Sequence, residues 1–166
     1  MFAHEIFQHL PAERSAEIFA HFQEKEKPFF KATLETLAKR RNLRPVFVER
    51  KSRAEKFAWL REALGRAPNQ DVAGQILQIW FVNLHGPLLC DFLDALNIPH
   101  DDKGMVESLP PAPAKEKLAA AVETLLAKHD PHLVALYLHT FQAIHETGGW
   151  PALGELLAED ARLALC

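Results

Sequence analysis

The sequence predicts an all-α protein, a single compact domain over residues 1–166 built of eight or nine helices. Three observations carry this. Ala, Leu, Glu and Lys are abundant while Val, Ile and Thr seldom cluster, which favours helix over strand. Apolar residues recur at helical spacing along nearly the whole chain. Most prolines fall where a helix would start, and the missing N–H has no intrahelical partner in a first turn.

The elements follow in order. A short helix is expected over 2–9 and a second over 11–25, with Ser15, Ile18, Phe19 and Phe22 on one side. A third runs from Pro28 to Arg41 and buries Phe30, Leu34 and Leu37. Arg44-Pro45-Val46-Phe47-Val48 reads as extended, a short strand, because the residue before proline avoids the helical region. Ser52-Arg53-Ala54-Glu55 is a capping box that opens a fourth helix bearing Phe57, Leu60 and Leu64, with Gly65 at its end.

The fifth helix, 70–84, carries apolar residues around most of its circumference and is expected to be buried on most sides. The sixth runs from Pro87 to Leu96, with Leu88, Leu89, Phe92 and Leu93 inward and Asp91 and Asp94 outward. Residues 97–113 form an irregular proline-rich loop, in which 100–106 suggests a small hairpin around Asp102-Lys103-Gly104. A seventh helix covers 114–128. Asp130-Pro131 caps and opens an eighth, which ends near His145 and is stopped by Gly148-Gly149. Pro151 opens a ninth with Leu153, Leu156 and Leu157. Trp80, Phe92, Leu93, Tyr137 and Phe141 are the expected core.

An internal repeat is suggested from the fourth helix onward. Shifted by 61 positions, 57–80 falls on 118–141 with matching apolar pattern, though only three of 24 positions are identical. This would make the chain a short α-solenoid-like array of three-helix units, each burying its apolar face on its neighbour. An irregular helical bundle is the alternative.

Val72 to Cys90 carries no formal charge over nineteen residues, but Gln75, Gln78, Asn83 and His85 interrupt it and Gly86-Pro87 breaks it. A spanning helix needs about 20 mostly apolar residues, so buried helices are expected here and no membrane. The two cysteines, Cys90 and Cys166, form no CxxC pair, and Met1–Ile6 lacks a basic region followed by an apolar one. A cytoplasmic chain without disulfides is expected.

Charge is segregated. Residues 39–66 hold ten Lys and Arg against three Glu, a local charge of +7, while the remainder carries −10. Arg40, Arg41, Arg44, Arg50, Lys51 and Arg53 are therefore candidates for binding a partner protein through a basic segment. Nucleic acid is the alternative partner, because several cations along one face displace condensed counterions from phosphates. Helix-dipole compensation at the end of the third helix is the simplest structural reading of Lys39, Arg40 and Arg41. A helix-turn-helix is disfavoured: the fifth helix offers few polar side chains to bases, and Asp91 and Asp94 on the sixth would repel phosphates.

Catalytic and cofactor signatures are missing from the sequence. None of the three serines lies in a GxSxG elbow, and no GxGxxG, GxxxxGK[ST] or HExxH occurs. Asp101-Asp102-Lys103-Gly104 fails as a calcium loop, since Pro99 and Lys103 would occupy ligand positions. Of nine histidines, His132 and His139 share a helix face, yet seven residues separate them by about 10.5 Å along the axis. No catalytic residue, metal ligand or cofactor is assigned. The expectation is a non-catalytic interaction or scaffold module, with nucleic-acid binding as one alternative. The other is a helical enzyme or small-ligand carrier with a pocket between helices. Gln75, Gln78 and His139 are the buried-polar candidates for such a pocket, because they interrupt apolar helices.

Overall fold

A computed structural model describes residues 1–145 and 149–166. Among these residues there are ten α-helices and no strand. The chain divides into two compact units, residues 2–74 and 75–165, with Cys166 grouped with the first and Met1 with the second.

The first unit contains α1 (Ala3–His9), α2 (Ala12–Lys25), α3 (Lys27–Arg40), α4 (Pro45–Glu49), α5 (Arg53–Leu64) and the start of α6 (Gln70–Leu84). Both α1 and α2 pack on α5, α2 also packs on α3, and α3 packs on α4. The apolar stripes supply the core: Phe7 stacks on Phe19 with ring centroids 5.9 Å apart, and Phe22, Leu37, Leu60 and Leu64 are buried around them. Phe57 is only half-buried; its ring lies under the Arg53 guanidinium and meets Phe19 edge-on.

The expected strand at 44–48 is a helix, α4. The pre-proline restriction acts on Arg44 alone, which is extended with ψ 132°. Pro45 then occupies the first helical position, where its fixed φ favours helix. The Ser52 cap is half realised: the hydroxyl accepts from the Glu55 N–H at 3.3 Å, and Glu55 itself is exposed.

The second unit holds the rest of α6, then α7 (Gly86–Ala95), α8 (Lys115–Lys128), α9 (Pro131–Ile144) and α10 (Pro151–Glu159). Both α7 and α10 pack on α8, and α10 packs on α9. Phe92 sits at the centre of an aromatic cluster. Tyr137 and Phe141 meet its ring edge-on at 5.5 Å, and Trp150 lies 4.9 Å from Phe141. The five expected core residues are all buried.

The α6 helix departs from expectation. Its burial follows one face, Val72, Ala73, Ile76, Leu77, Trp80 and Phe81, while Asp71, Gln75, Asn83 and Leu84 are exposed. Among the described residues no single helix is long and apolar enough to cross a membrane, and a 91° bend separates residues 67–84 from α7.

Both α3 and α7 end on asparagine rather than glycine. Asn42 and Asn97 adopt φ of 56° and 55°. In each case the next N–H reaches back to the third-last helical carbonyl, Leu43 to Ala38 at 2.8 Å and Ile98 to Leu93 at 2.9 Å. This is the Schellman ending, for which asparagine is the usual substitute for glycine.

The hairpin expected at 100–106 is a tight turn without strands. The Asp101 carboxylate accepts from the Lys103 and Met105 N–H groups at 2.9 and 2.8 Å, which holds its pKa below the ordinary value. A side chain that satisfies these donors removes them from any ladder. Further along, the Trp150 indole donates to the Pro110 carbonyl at 3.0 Å and ties the proline-rich loop down. Of the glycines expected to stop α9, Gly148 lies outside the described residues, and Gly149 takes φ +73°.

Candidate functional site

The basic segment spans α3 to α5, and the fold sorts its six candidate cations into two groups. Arg40, Arg41 and Arg53 are held by acidic partners in the first unit. Arg40 pairs both guanidinium nitrogens with the Asp71 carboxylate at 2.8 and 2.9 Å. One of them also donates to the Pro68 carbonyl and to Asn69 Oδ1. Asn69 is buried, and its amide donates to the Ala63 carbonyl at 2.7 Å. Arg40 therefore clamps the turn between α5 and α6. Arg41 lies 3.4 Å from Glu62 and over the Trp59 ring. Arg53 reaches Glu24 at 3.2 Å.

The Arg40 clamp sets a pH dependence. Hydrogen bonding to Arg40 holds the Asp71 pKa at about 2, below its ordinary value near 3.8. A carboxylate with a depressed pKa stabilises the fold above its unfolded pKa, and the benefit fades as pH falls through the window between the two values. Both side chains are partly exposed, so the contribution is about 1 kcal/mol at neutral pH, the upper end for a solvated pair. Urea titrations of Asp71→Asn should show that deficit at neutral pH. The gap to wild type should close as pH drops from 4 toward 2.

Arg44, Arg50 and Lys51 form the second group. None of the three has an ion-pair partner among the described residues. They line a shallow groove of about 540 Å³ together with the apolar Leu43, Val46 and Phe47. Val46 and Phe47 are 43% and 58% exposed, although both are large apolar side chains. Their exposure follows from α4 itself. The helix is five residues long and is anchored by Val48, which is fully buried. Burying Val48 leaves Val46 and Phe47 turned outward. The Lys51 ammonium sits 5.0 Å from the Phe47 ring centroid, a cation–π distance. Glu55 is the one acidic residue on the rim.

The buried-polar candidates separate as well. Gln75 is exposed, so it is no pocket residue; it lies opposite the Ile76–Trp80 face of α6. His139 is buried, and its Nε2 lies 3.0 Å from the Leu163 carbonyl, an internal use for that nitrogen. Gln78 lines a cavity in the second unit. Elsewhere, Asp91 and Asp94 serve histidines rather than solvent alone, His129 at 2.7 Å and His100 at 2.7 Å. His100 faces the Asp101 carbonyl with its other nitrogen, and these two acceptors raise its pKa. Cys90 is half-buried; burial first, then the surrounding aspartates, push its thiol pKa up and away from a reactive thiolate. Among the described residues no group of three or more His, Cys, Asp or Glu side chains is placed to hold a metal ion.

The groove residues were visible in the sequence as charge, and Val46 and Phe47 were visible only as members of a supposed strand. The missed signal is Pro45, which opens a short helix as readily as it ends one. Comparison of the chain with models of known families, with curated proteins and with solved structures finds no match.

Proposed function

We propose that the protein is a non-catalytic binding module whose α4 groove takes an acidic protein segment carrying an apolar side chain. The observation that carries this is the pairing of exposed Val46 and Phe47 with three cations, Arg44, Arg50 and Lys51, that have no ion-pair partner among the described residues. An exposed aromatic ringed by charge is the composition of an interface hot spot, where a central apolar anchor is surrounded by a polar rim. Charge complementarity selects the partner: a segment rich in Asp and Glu gains attraction and encounter rate from the cations. The groove is shallow, which suits an extended peptide or a helix face rather than an enclosed small molecule.

The test is photo-crosslinking with p-benzoylphenylalanine at position 47 in the native cell, followed by mass spectrometry of the crosslinked peptides. The expected crosslinks are to peptides of net negative charge, and they survive nuclease. They should disappear in the Arg44→Glu/Arg50→Glu/Lys51→Glu variant. They should persist in Lys25→Glu/Lys27→Glu/Lys31→Glu, which changes the net charge equally at exposed positions away from the groove. In affinity terms Phe47→Ala should weaken the captured pair about ten-fold or more. Crosslinks to neutral or basic peptides, or crosslinks insensitive to the groove charges, would remove the proposal. Crosslinks to nucleic acid that vanish with nuclease would instead assign the same cations to phosphates.

A further inference from the structure

A second site lies in the other unit and owes nothing to the basic segment. A cavity of about 80 Å³, open on one side, is walled by α6, α7, α9 and the turn at Gly104, Met105 and Val106. Its surface is mostly apolar, contributed by side chains such as Phe81, Leu93 and Phe141. Among the described residues four polar ones interrupt that lining: Gln78, Tyr137, Thr140 and His145.

Two of these polar groups are unsatisfied. Thr140 is 2% exposed and its hydroxyl has no hydrogen-bond partner among the described residues. A helical threonine ordinarily bonds back to the carbonyl four residues earlier, and this one does not. The buried Nε2 of His145 also lacks a partner among the described residues. Its ring meets Phe141 edge-on at 4.7 Å, and burial lowers its pKa, which favours the neutral imidazole. A neutral imidazole carries one acceptor nitrogen and one N–H donor. Buried polar groups in folded proteins are nearly always paired, so a molecule in this cavity that pairs these two groups gains hydrogen bonds that the described residues do not supply.

The size of the cavity limits that occupant. One water needs roughly 10–15 Å³ measured this way, while an engineered apolar cavity of roughly 150 Å³ takes benzene. At about 80 Å³ and open on one side, this cavity suits a single small ring or a short chain. The lining asks for an apolar body, and the orphan hydroxyl and imidazole ask for a head that both donates and accepts. Among the described residues no charged side chain lines the cavity, so those residues offer an ionic head no counter-charge.

We infer that the cavity between α6, α7 and α9 is a binding site for a small neutral molecule with an apolar body and one hydroxyl head, held by Thr140 and His145. Phenol is the probe and benzene its headless counterpart. In ¹H–¹⁵N spectra of the full-length protein, millimolar phenol should shift the amide signals of residues on the three walls, including Gln78, Val82, Met105 and Thr140. Thr140→Val should weaken phenol by about five-fold, the share of one neutral hydrogen bond, and leave benzene unchanged. The same substitution should raise the melting temperature of the unliganded protein, because it removes a hydroxyl that has no partner. Val82→Phe places a larger side chain in the lining and should abolish the shifts of both probes. If Val82→Phe fails to fold, the phenol-to-benzene comparison in Thr140→Val still decides. Absence of phenol shifts, benzene binding with the same affinity as phenol, or a Thr140→Val variant indifferent in both affinity and stability would each overturn the assignment.

Discussion

Phe92→Ala is expected to lower the unfolding free energy by about 3–5 kcal/mol, a large share of the 5–15 kcal/mol typical of a domain. Phe92 is fully buried on α7, and its ring contacts Tyr137 and Phe141 on α9 together with Trp150 ahead of α10. Truncation removes the transfer free energy of the ring and leaves a void that three other aromatic side chains border. Those side chains are large, two held edge-on and Trp150 tilted at 42°, so the site cannot collapse cheaply. Urea denaturation followed by tryptophan fluorescence measures the loss directly, because Trp150 lies in the same cluster. Phe92→Leu keeps most of the volume and should lose less than half as much. An equal loss in both variants would show that ring geometry rather than filled volume holds the unit together.

Gly104→Ala is the second large effect, and it acts through backbone rather than packing. Gly104 has φ +76°, in the left-handed region. A Cβ there would run into the Leu89 side chain and come within 3.1 Å of the Leu89 and Cys90 backbone. The left-handed conformation alone costs an L-residue about 1–2 kcal/mol. The collision adds to this because α7 backbone cannot yield as a flexible side chain would. A loss of about 2–4 kcal/mol is expected, with the turn at 104–106 lifted from α7. That turn is one wall of the small cavity. Phenol shifts at Met105 and Val106 should therefore weaken together with stability, while the α4 groove in the other unit keeps its crosslinks. A Gly104→Ala variant as stable as wild type would mean that the turn relaxes freely.

The two proposals stand on different residues and fail separately. Groove charge reversal leaves Thr140 and His145 untouched, and Thr140→Val leaves Arg44, Arg50 and Lys51 untouched. A protein that binds phenol without an acidic partner, or the reverse, retains one reading and discards the other.

Nine of the ten helices were legible in the residues to within a position or two, because the signals that mark them are local. Proline at the first turn of α7, α9 and α10, Asp130 and Ser52 as caps, and apolar side chains at three- and four-residue spacing each act within one or two turns of the chain. The tenth helix, α4, was misread because the pre-proline rule governs Arg44 only, and the burial of Val48 against the rest of the unit completes the turn. The small cavity was half legible. Gln78 was marked as a polar interruption, whereas Thr140 was not, although it lies in the run 134–141 that is buried all round. A polar residue on such a helix must find either a partner or a cavity.

The division between chain and fold is sharpest in the basic segment. Sequence by itself determined that helices form, where all of them but α4 start, and that positive charge collects between residues 39 and 66. It did not determine which of those charges face outward unpaired. Arg40 meets Asp71 across 31 positions and Arg53 meets Glu24 across 29. Arg44, Arg50 and Lys51 meet no carboxylate at all among the described residues. Helix starts and ends are set by bonds a few residues long. Ion pairing and exposure depend instead on which surfaces the packed helices bring within about 4 Å of each other, and only the tertiary structure settles that.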